Sequence, residues 1–240
     1  SQGTAPLTFA LLGAPAGMSI DAATGLITLA YPNGNYSPYT ITVRVSNAVG
    51  ADQKNYTLTV LQRPVIKPIA AALTAEGIAY TGPVPSLYQG SAPITWALDE
   101  GPSQMTVDAD TGVVHWPTAV FEGSPYTVRI QAQNVVGTDS KSWQVTVVQP
   151  PVIAIYGDKI AGNAVTYIAA LPTLTQGKHV SWSLEEAPAG MTINVSTGQM
   201  IWPSPVASDM PYTIILRAQN IAGSDTETFH LTIHSKPVMA

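Results

Sequence analysis

The amino-acid sequence contains three copies of one unit, and this repetition constrains the fold more than any single residue does. The segment SPYTITVRVSNAVGAD from Ser37 returns as SPYTVRIQAQNVVGTD from Ser124 and as MPYTIILRAQNIAGSD from Met210. The copies are 87 and 86 residues apart. A period of this size predicts a tandem array of one small domain, large enough for each copy to bury its own core.

The phase of the repeat sets the expected domain boundaries, because a Pro recurs at positions 64, 151 and 237. Aligning SQGTAPLTF at Ser1 with YQGSAPITW at Tyr88 places the start of the chain inside a unit. We therefore expect a piece of a longer array, whose first domain lacks its first strands and exposes sheet edges that another copy could cover. The predicted domains are 1–63, 64–150 and 151–236, with 237–240 opening a following repeat.

Composition and alternation favour an all-β chain. The 240 residues include 19 Gly and 20 Pro, and 45% are hydrophobic. Tyr126, Val128, Ile130 and Ala132 alternate with polar residues, as Trp143, Val145 and Val147 do after a turn, and each pattern predicts a half-buried strand. The two strands form a predicted hairpin. With ITWAL from Ile94, two short strands around an Asp-to-Gly turn from Met105, and two more between 65 and 89, a unit has about seven strands.

Seven short strands without helical periodicity predict a two-sheet sandwich in each repeat, with helices nearly absent. A large aromatic ring recurs at fixed phases of the unit, and we predict that these rings fill the core: Trp96, Trp116, Trp182 and Trp202, with Phe9 and Leu29 in the first unit.

Charge and motifs exclude several classes of function. Ten Lys and Arg residues are scattered and the net charge is −5, so no nucleic-acid partner is expected. There is no Cys and no apolar run of about 18 residues, so neither disulfides nor a membrane span is expected in this segment. No motif for nucleophilic, metal or phosphate chemistry occurs, and the acidic pairs Asp99–Glu100 and Glu185–Glu186 lie on strands where neighbours point apart. The chain is predicted not to be an enzyme.

Two repeated polar motifs could bind a cation or hold turns together. Asp21, Thr24 and Gly25 recur in the second unit, and we favour an Asx turn over a metal loop. Gln104 stands where the other units have Gly, which argues against a need for positive φ at that turn. The turn between the two hairpin strands reads NAVG at 47–50, NVVG at 134–137 and NIAG at 220–223, and we call it the NxxG corner. The Asn of each corner and the Asp two residues after the corner could line a weak Ca²⁺ site, although closing the hairpin is the preferred interpretation. The candidate cation ligands are Asn134, Asp139, Asn220 and Asp225.

Aromatic residues in predicted loops and strand ends raise a second possibility, because an exposed ring can stack on a sugar. A surface glycan is therefore a possible partner. The candidate ligand-binding residues are Tyr31, Tyr36, Tyr88, Phe121 and Tyr156.

The strings PAGMSIDAATGLITL, PSQMTVDADTGVVHW and PAGMTINVSTGQMIW, each followed by SNAVGAD, QNVVGTD or QNIAGSD, resemble the bacterial repeats named putative Ig domains and the related dystroglycan-type cadherin-like domains. The resemblance covers nearly the whole chain. It implies Ig-like β-sandwiches from a large exported bacterial protein.

What the resemblance implies is a non-enzymatic, extracellular spacer that presents other domains or contributes to adhesion, with neighbouring domains of the same polypeptide as partners. The alternatives are a carbohydrate-binding module, an accessory module of a secreted hydrolase, and a self-assembling surface-layer or filament component. Cadherins hold Ca²⁺ between domains with clustered carboxylates, and the matching positions here read SNAVG and LQRPVI. We expect no cofactor, and the Pro-containing junctions offer stiffness without metal.

Overall fold

The computed structural model describes residues 3–237, and its regular elements within that range are all β-strands. The expected lack of helices is confirmed for these residues. They group into two compact units, one of residues 3–67, 85–96 and 131–140 and the other of residues 68–84, 97–130 and 141–237. The domain boundaries at 63/64 and 150/151 stay predictions. Residues 238–240 of the predicted following repeat lie outside the described range.

The first repeat contains one three-stranded antiparallel sheet of order β1-β4-β5 and the two-stranded pair β2-β3. Ile41 is fully buried, whereas Phe9 and Leu29 are half-buried. The strands are β1 (Thr8–Leu12), β2 (Met18–Ile20), β3 (Ile27–Leu29), β4 (Tyr39–Ser46) and β5 (Ala51–Leu58).

The second repeat contains nine strands, three of them only two residues long. They are β6 (Val65–Ile66), β7 (Ala72–Ala75), β8 (Tyr80–Thr81), β9 (Leu87–Gln89), β10 (Thr95–Glu100), β11 (Thr106–Val107), β12 (Val114–Trp116), β13 (Tyr126–Asn134) and β14 (Gly137–Val148). They form sheets of order β10-β13-β14-β7, β11-β12-β8 and β6-β9.

The third repeat has the same sequence of elements. Its strands are β15 (Val152–Ile153), β16 (Lys159–Gly162), β17 (Tyr167–Ile168), β18 (Leu174–Gln176), β19 (Ser181–Glu186), β20 (Thr192–Ile193), β21 (Met200–Trp202), β22 (Tyr212–Asn220) and β23 (Gly223–His234). They form sheets of order β16-β23-β22-β19, β17-β21-β20 and β15-β18. The predicted hairpin after each Pro-Tyr is confirmed here, since β22 and β23 pair antiparallel from Tyr212↔Leu231 to Asn220↔Gly223.

The segment before the tryptophan strand is divided more finely than expected. The structure has four short strands, β6 to β9, where the sequence predicted two. Pro68, Pro83 and Pro85 fall between these strands. Each Pro lacks an amide donor and ends a hydrogen-bonded ladder, which explains the breaks between β6 and β7 and between β8 and β9. Between β7 and β8 the chain turns at Gly77, whose φ is +76°.

The tryptophans lie in the core, as predicted. Trp96, Trp116, Trp182 and Trp202 have at most 9% of their surface exposed. In the third repeat the ring of Trp202 meets that of Tyr212 edge-on, with centroids 5.0 Å apart. Around it pack the alternating residues of the hairpin, which are completely or almost completely buried: Ile214, Leu216, Ala218, Phe229, Leu231 and Ile233.

Within the second repeat, and again within the third, an early strand pairs parallel with the last strand. In the second repeat β7 runs parallel to the end of β14, from Ala72↔Val145 to Ala75↔Val148. In the third repeat β16 runs parallel to the end of β23, from Lys159↔Leu231 to Gly162↔His234. The early and last strands of these two repeats are therefore hydrogen-bonded side by side.

Candidate functional site

The Asn of the NxxG corner closes the hairpin of its own repeat. In the third repeat, Oδ1 of Asn220 accepts hydrogen bonds from the amides of Ala222 (2.8 Å) and Gly223 (3.2 Å). Because a short Asn side chain can bond its own backbone two and three residues on, it caps the turn between β22 and β23. Hairpin closure, the preferred sequence interpretation for both the Asn and the Asp, is confirmed for the Asn; Asp139 and Asp225 instead bond the first strand of their repeat.

The same side chain also binds the linker that precedes the repeat. Nδ2 of Asn220 donates to the carbonyl of Gln149 at 2.8 Å and to that of Lys178 at 3.0 Å. Gln149 lies 71 residues earlier in the sequence, just before the first strand of the third repeat. One carboxamide therefore joins the linker, the loop after β18 and the hairpin corner.

The arrangement recurs at the junction before the second repeat. Nδ2 of Asn134 donates to the carbonyls of Gln62 (2.7 Å) and Ser91 (2.9 Å), and its Oδ1 accepts from the amides of Val136 and Gly137. In the first repeat, Nδ2 of Asn47 donates to the carbonyl of Thr4 at 3.0 Å, the position that corresponds to Ser91. Because the Asn contact recurs in all three repeats, it is a regular part of the repeat structure.

The Asp that follows each corner secures the first strand. Oδ2 of Asp225 accepts from the amide of Ile153 at 2.8 Å, and Oδ2 of Asp139 accepts from the amide of Ile66 at 2.7 Å. In the first repeat Oδ1 of Asp52 accepts from the amide of its neighbour Gln53. Asn and Asp together attach the linker and the strand after it to the downstream repeat.

A glutamine in each linker reaches the opposite way, toward the preceding repeat. Nε2 of Gln62 donates to Oδ1 of Asn35 at 2.8 Å, and Nε2 of Gln149 donates to Oε2 of Glu76 at 2.9 Å. We call the Asn, Asp and Gln of one junction the linker clamp. Sequence reasoning missed the clamp, although Gln62 and Gln149 share one phase of the period and could have signalled it.

The candidate cation ligands Asn134, Asp139, Asn220 and Asp225 are thus all engaged in hydrogen bonds. The Oδ1 of each Asn already accepts two amide hydrogens, which uses both of its lone pairs. Within residues 3–237 no group of three or more His, Asp or Glu side chains is arranged to hold a metal ion. A weak Ca²⁺ site at these corners stays a prediction.

The Asp-to-Gly turn is an Asx turn, as predicted. Oδ1 of Asp21 accepts from the amides of Ala23 and Thr24 and from the Thr24 hydroxyl, the last two at 2.7 and 2.8 Å. Asp108 repeats this pattern, and Asn194 provides the same acceptor in the third repeat. The donated hydrogen bonds, first that from the Thr24 amide, hold the pKa of Asp21 below its ordinary value of 3.8.

The expectation for Gln104 is wrong. Its φ is +67°, close to the +82° of Gly17 and the +85° of Gly190 at the equivalent turns. The turn before β11, like its equivalents in the other repeats, requires a residue with left-handed backbone conformation. Gln104 therefore adopts a conformation that costs a non-Gly residue about 1–2 kcal/mol. Gln104 therefore carries local strain that its two counterparts avoid.

The candidate ligand-binding aromatics differ in their surroundings. Tyr31, Tyr36 and Tyr88 are 93%, 79% and 68% exposed, and Nζ of Lys67 lies 5.6 Å from the centre of the Tyr88 ring. Tyr156 is different, because its ring packs on Phe229 with centroids 4.7 Å apart. Tyr156 is part of the core edge of the third repeat.

Phe121 is the candidate aromatic that lines a groove. Its ring is 37% exposed and lies beside the loop after β18. One residue of each acidic pair forms a surface ion pair: Nε of Arg129 lies 3.5 Å from Oδ2 of Asp99, and Nη1 of Arg217 lies 3.3 Å from Oε1 of Glu185. Ion pairs between exposed side chains such as these contribute little to the stability of the fold.

The fold and its repeated junctions define a tandem Ig-like β-sandwich protein, and comparison with known families agrees. The profile named "Putative Ig domain" matches residues 1–61 and 151–234. The chain belongs to this family. Ig-like and cadherin-like families are generally non-enzymatic and commonly extracellular. No helix in the described part of the chain is long and apolar enough to span a membrane.

Solved structures of similar fold include Ig and cadherin proteins. A three-Ig fragment of titin with Glu-to-Ala changes is 19% identical, with a TM-score of 0.45, covering 97% of this chain and 90% of that one. Protocadherin gamma B2 extracellular domains 3–6 are 14% identical (TM-score 0.42, 96% and 68% covered), and mouse cadherin-23 domains EC22–24 are 15% identical (TM-score 0.40, 96% and 86% covered). No curated protein matches the chain.

Proposed function

We propose that the chain is a non-enzymatic spacer in a large secreted or cell-surface protein of a bacterium, where it carries tension and presents other domains, including adhesive ones. The observation that carries the proposal is the parallel pair between an early and the last strand of a repeat. The family's commonly extracellular placement and the repeated linker clamp support it.

The direction of the strands explains how a repeat would resist tension. In the third repeat β16 follows the short first strand β15, β23 is the last strand, and β16 and β23 run parallel over four residue pairs. Tension on the two chain ends would pull these neighbours in opposite directions along their length. Their hydrogen bonds would then be loaded together, whereas an antiparallel pair pulled at its open end would break one bond at a time.

The linker clamp would stabilise the junction between repeats against the same tension. Asn220 attaches the Gln149 carbonyl to the third repeat, and the Gln149 side chain bonds Glu76 of the second repeat. A linker with fixed backbone bonds loses fewer conformations when the chain is stretched than a free one does. The Pro residues at 150 and 151 restrict φ in the same segment.

Single-molecule force spectroscopy, with the chain pulled from its two ends, tests the proposal. Ile160→Pro and Ala161→Pro each remove one amide donor from β16, and alternate residues face β23, so one of the two breaks a ladder bond. We expect that variant to lower the unfolding force of the third repeat. Ile155→Pro is the control, because Ile155 is 90% exposed and precedes β16.

Equal unfolding forces for wild type and both β16 variants would contradict the tension-bearing function. Thermal unfolding of the same proteins is measured alongside, so that a general loss of stability can be separated from a loss of mechanical resistance.

A further inference from the structure

A groove of about 660 Å³ lies beside the second linker, within the larger of the two compact units. Phe121, Pro125 and Leu174 provide apolar surface, and Gln176, Lys178 and His179 provide polar groups. No Asp or Glu is among the residues that line it. Its volume is within the range of about 300–1,000 Å³ that is typical of small-molecule sites.

The loop that carries the polar groups is held in place. Gly177 has φ +85° and packs so closely on the linker that a Cβ there would lie 2.6 Å from the Cα of Pro151. The carbonyl of Lys178 accepts the hydrogen bond from Asn220. His179 has φ +55°, a strained conformation for a residue other than Gly. Because the backbone is fixed before any ligand arrives, binding would cost little ordering of the loop.

The junction before the second repeat provides an internal comparison. At that junction, the positions of Phe121, Lys178 and His179 are occupied by Gly34, Ser91 and Ala92, which provide neither an aromatic ring nor a basic group. The space itself is also filled, since a Cβ on Gly34 would lie 2.3 Å from Cγ of Gln62, which turns to bond Asn35. The groove is therefore a property of one junction and not of the repeat.

We propose that this groove binds an anionic saccharide, with one sugar ring stacked on Phe121 and its carboxylate paired with Lys178. This binding activity goes beyond the spacer function. An exposed aromatic face accepts the C–H face of a sugar, and amide and hydroxyl side chains bond its hydroxyl groups. In a chain of net charge −5, a groove lined by Lys178 and His179 without a carboxylate favours an anion.

Isothermal titration of the intact chain tests the proposal with trigalacturonate, a hyaluronan tetrasaccharide and 3′-sialyllactose. Lactose, galactotriose and triglutamate are the neutral-sugar and acidic-peptide controls. We expect at least one acidic saccharide to bind with a Kd below about 1 mM, and to bind more weakly at high salt. Phe121→Ala should weaken that binding about tenfold or more, and Lys178→Ser should remove the preference for the acidic probe over its neutral counterpart.

Tyr31→Ala and Tyr88→Ala are the matched controls, because both rings are exposed and neither lines the groove. They should leave binding unchanged, and unfolding curves should show that all variants fold as the wild type does. The proposal fails if none of the three acidic saccharides binds below about 1 mM. It also fails if Phe121→Ala has no effect, or if a neutral sugar or triglutamate binds equally well.

Discussion

Removing the Asn220 side chain should destabilise the third repeat and release its linker together. In Asn220→Ala, the Gln149 carbonyl and the amides of Ala222 and Gly223 lose their partner at partly buried positions. Each such bond contributes about 1 kcal/mol, so the expected loss is about 3 kcal/mol. The fourth bond, to Lys178, is exposed, and water can replace it.

Urea unfolding followed by tryptophan fluorescence measures this loss, because the third repeat contains Trp182 and Trp202. At an m-value of about 1–1.5 kcal/mol/M the midpoint of its transition should fall by about 2–3 M. Hydrogen exchange should accelerate at Ala222, Gly223 and Ile153 under native conditions, which would locate the effect at the corner and the linker.

Two further variants show which contact of Asn220 is responsible and provide a control. Asn220→Asp keeps the acceptor for the two corner amides but turns a carboxylate oxygen toward the carbonyls of Gln149 and Lys178, so a loss of stability in this variant would assign that loss to the linker side of the contact. Asn55→Ala, at an exposed position on β5, should change nothing. A midpoint shift below about 0.5 M for Asn220→Ala would refute the reasoning that the clamp stabilises the repeat.

Three further outcomes are expected. The Thr111 amide, which donates a hydrogen bond to Asp108, is the first cause of a lowered pKa at that carboxyl group. The stability that this ionised carboxylate contributes should be present above pH 3.8 and be lost as pH falls through the folded-state pKa. Asp108→Asn, which introduces the residue found at Asn194 in the third repeat, should remove this acid dependence in unfolding titrations. Gln104→Gly should raise the free energy of unfolding of the second repeat by about 0.5–1 kcal/mol, seen as a higher urea midpoint, because Gly adopts the positive φ of this turn without strain. Burial raises the pKa of Tyr167 to about 12, so the unfolded state ionises first and stability should fall between pH 10 and 12. Tyr167→Phe should make that fall smaller in alkaline unfolding curves, and the half-buried Tyr156, whose pKa is also raised, should account for part of what is left.

Local patterns allowed much of the fold to be predicted. Alternation of apolar residues identified the hairpin strands β13–β14 and β22–β23, because a two-residue period fixes which side chains face the core. The Asx turn at Asp21 followed from the side chain's reach to amides two and three residues on. In each case the partners are close in sequence.

The features that escaped prediction depend on distant partners or on backbone context. Asn220 bonds Gln149 over 71 residues, and no local pattern indicates such a contact. The positive φ of Gln104 is imposed by the turn that contains it, against the preference of its side chain. The groove at Phe121 requires the loop after β18 to meet the linker, which only the folded repeat arranges.

The position of the clamp also sets an order of events during vectorial synthesis or export. Gln149 leaves the ribosome or the translocon long before Asn220, so the linker would stay unattached until the closing hairpin of the next repeat has emerged. The preceding repeat can complete its own hairpin during that interval. Newly made copies would then be docked one after another from the amino terminus, which limits mispairing between similar neighbours.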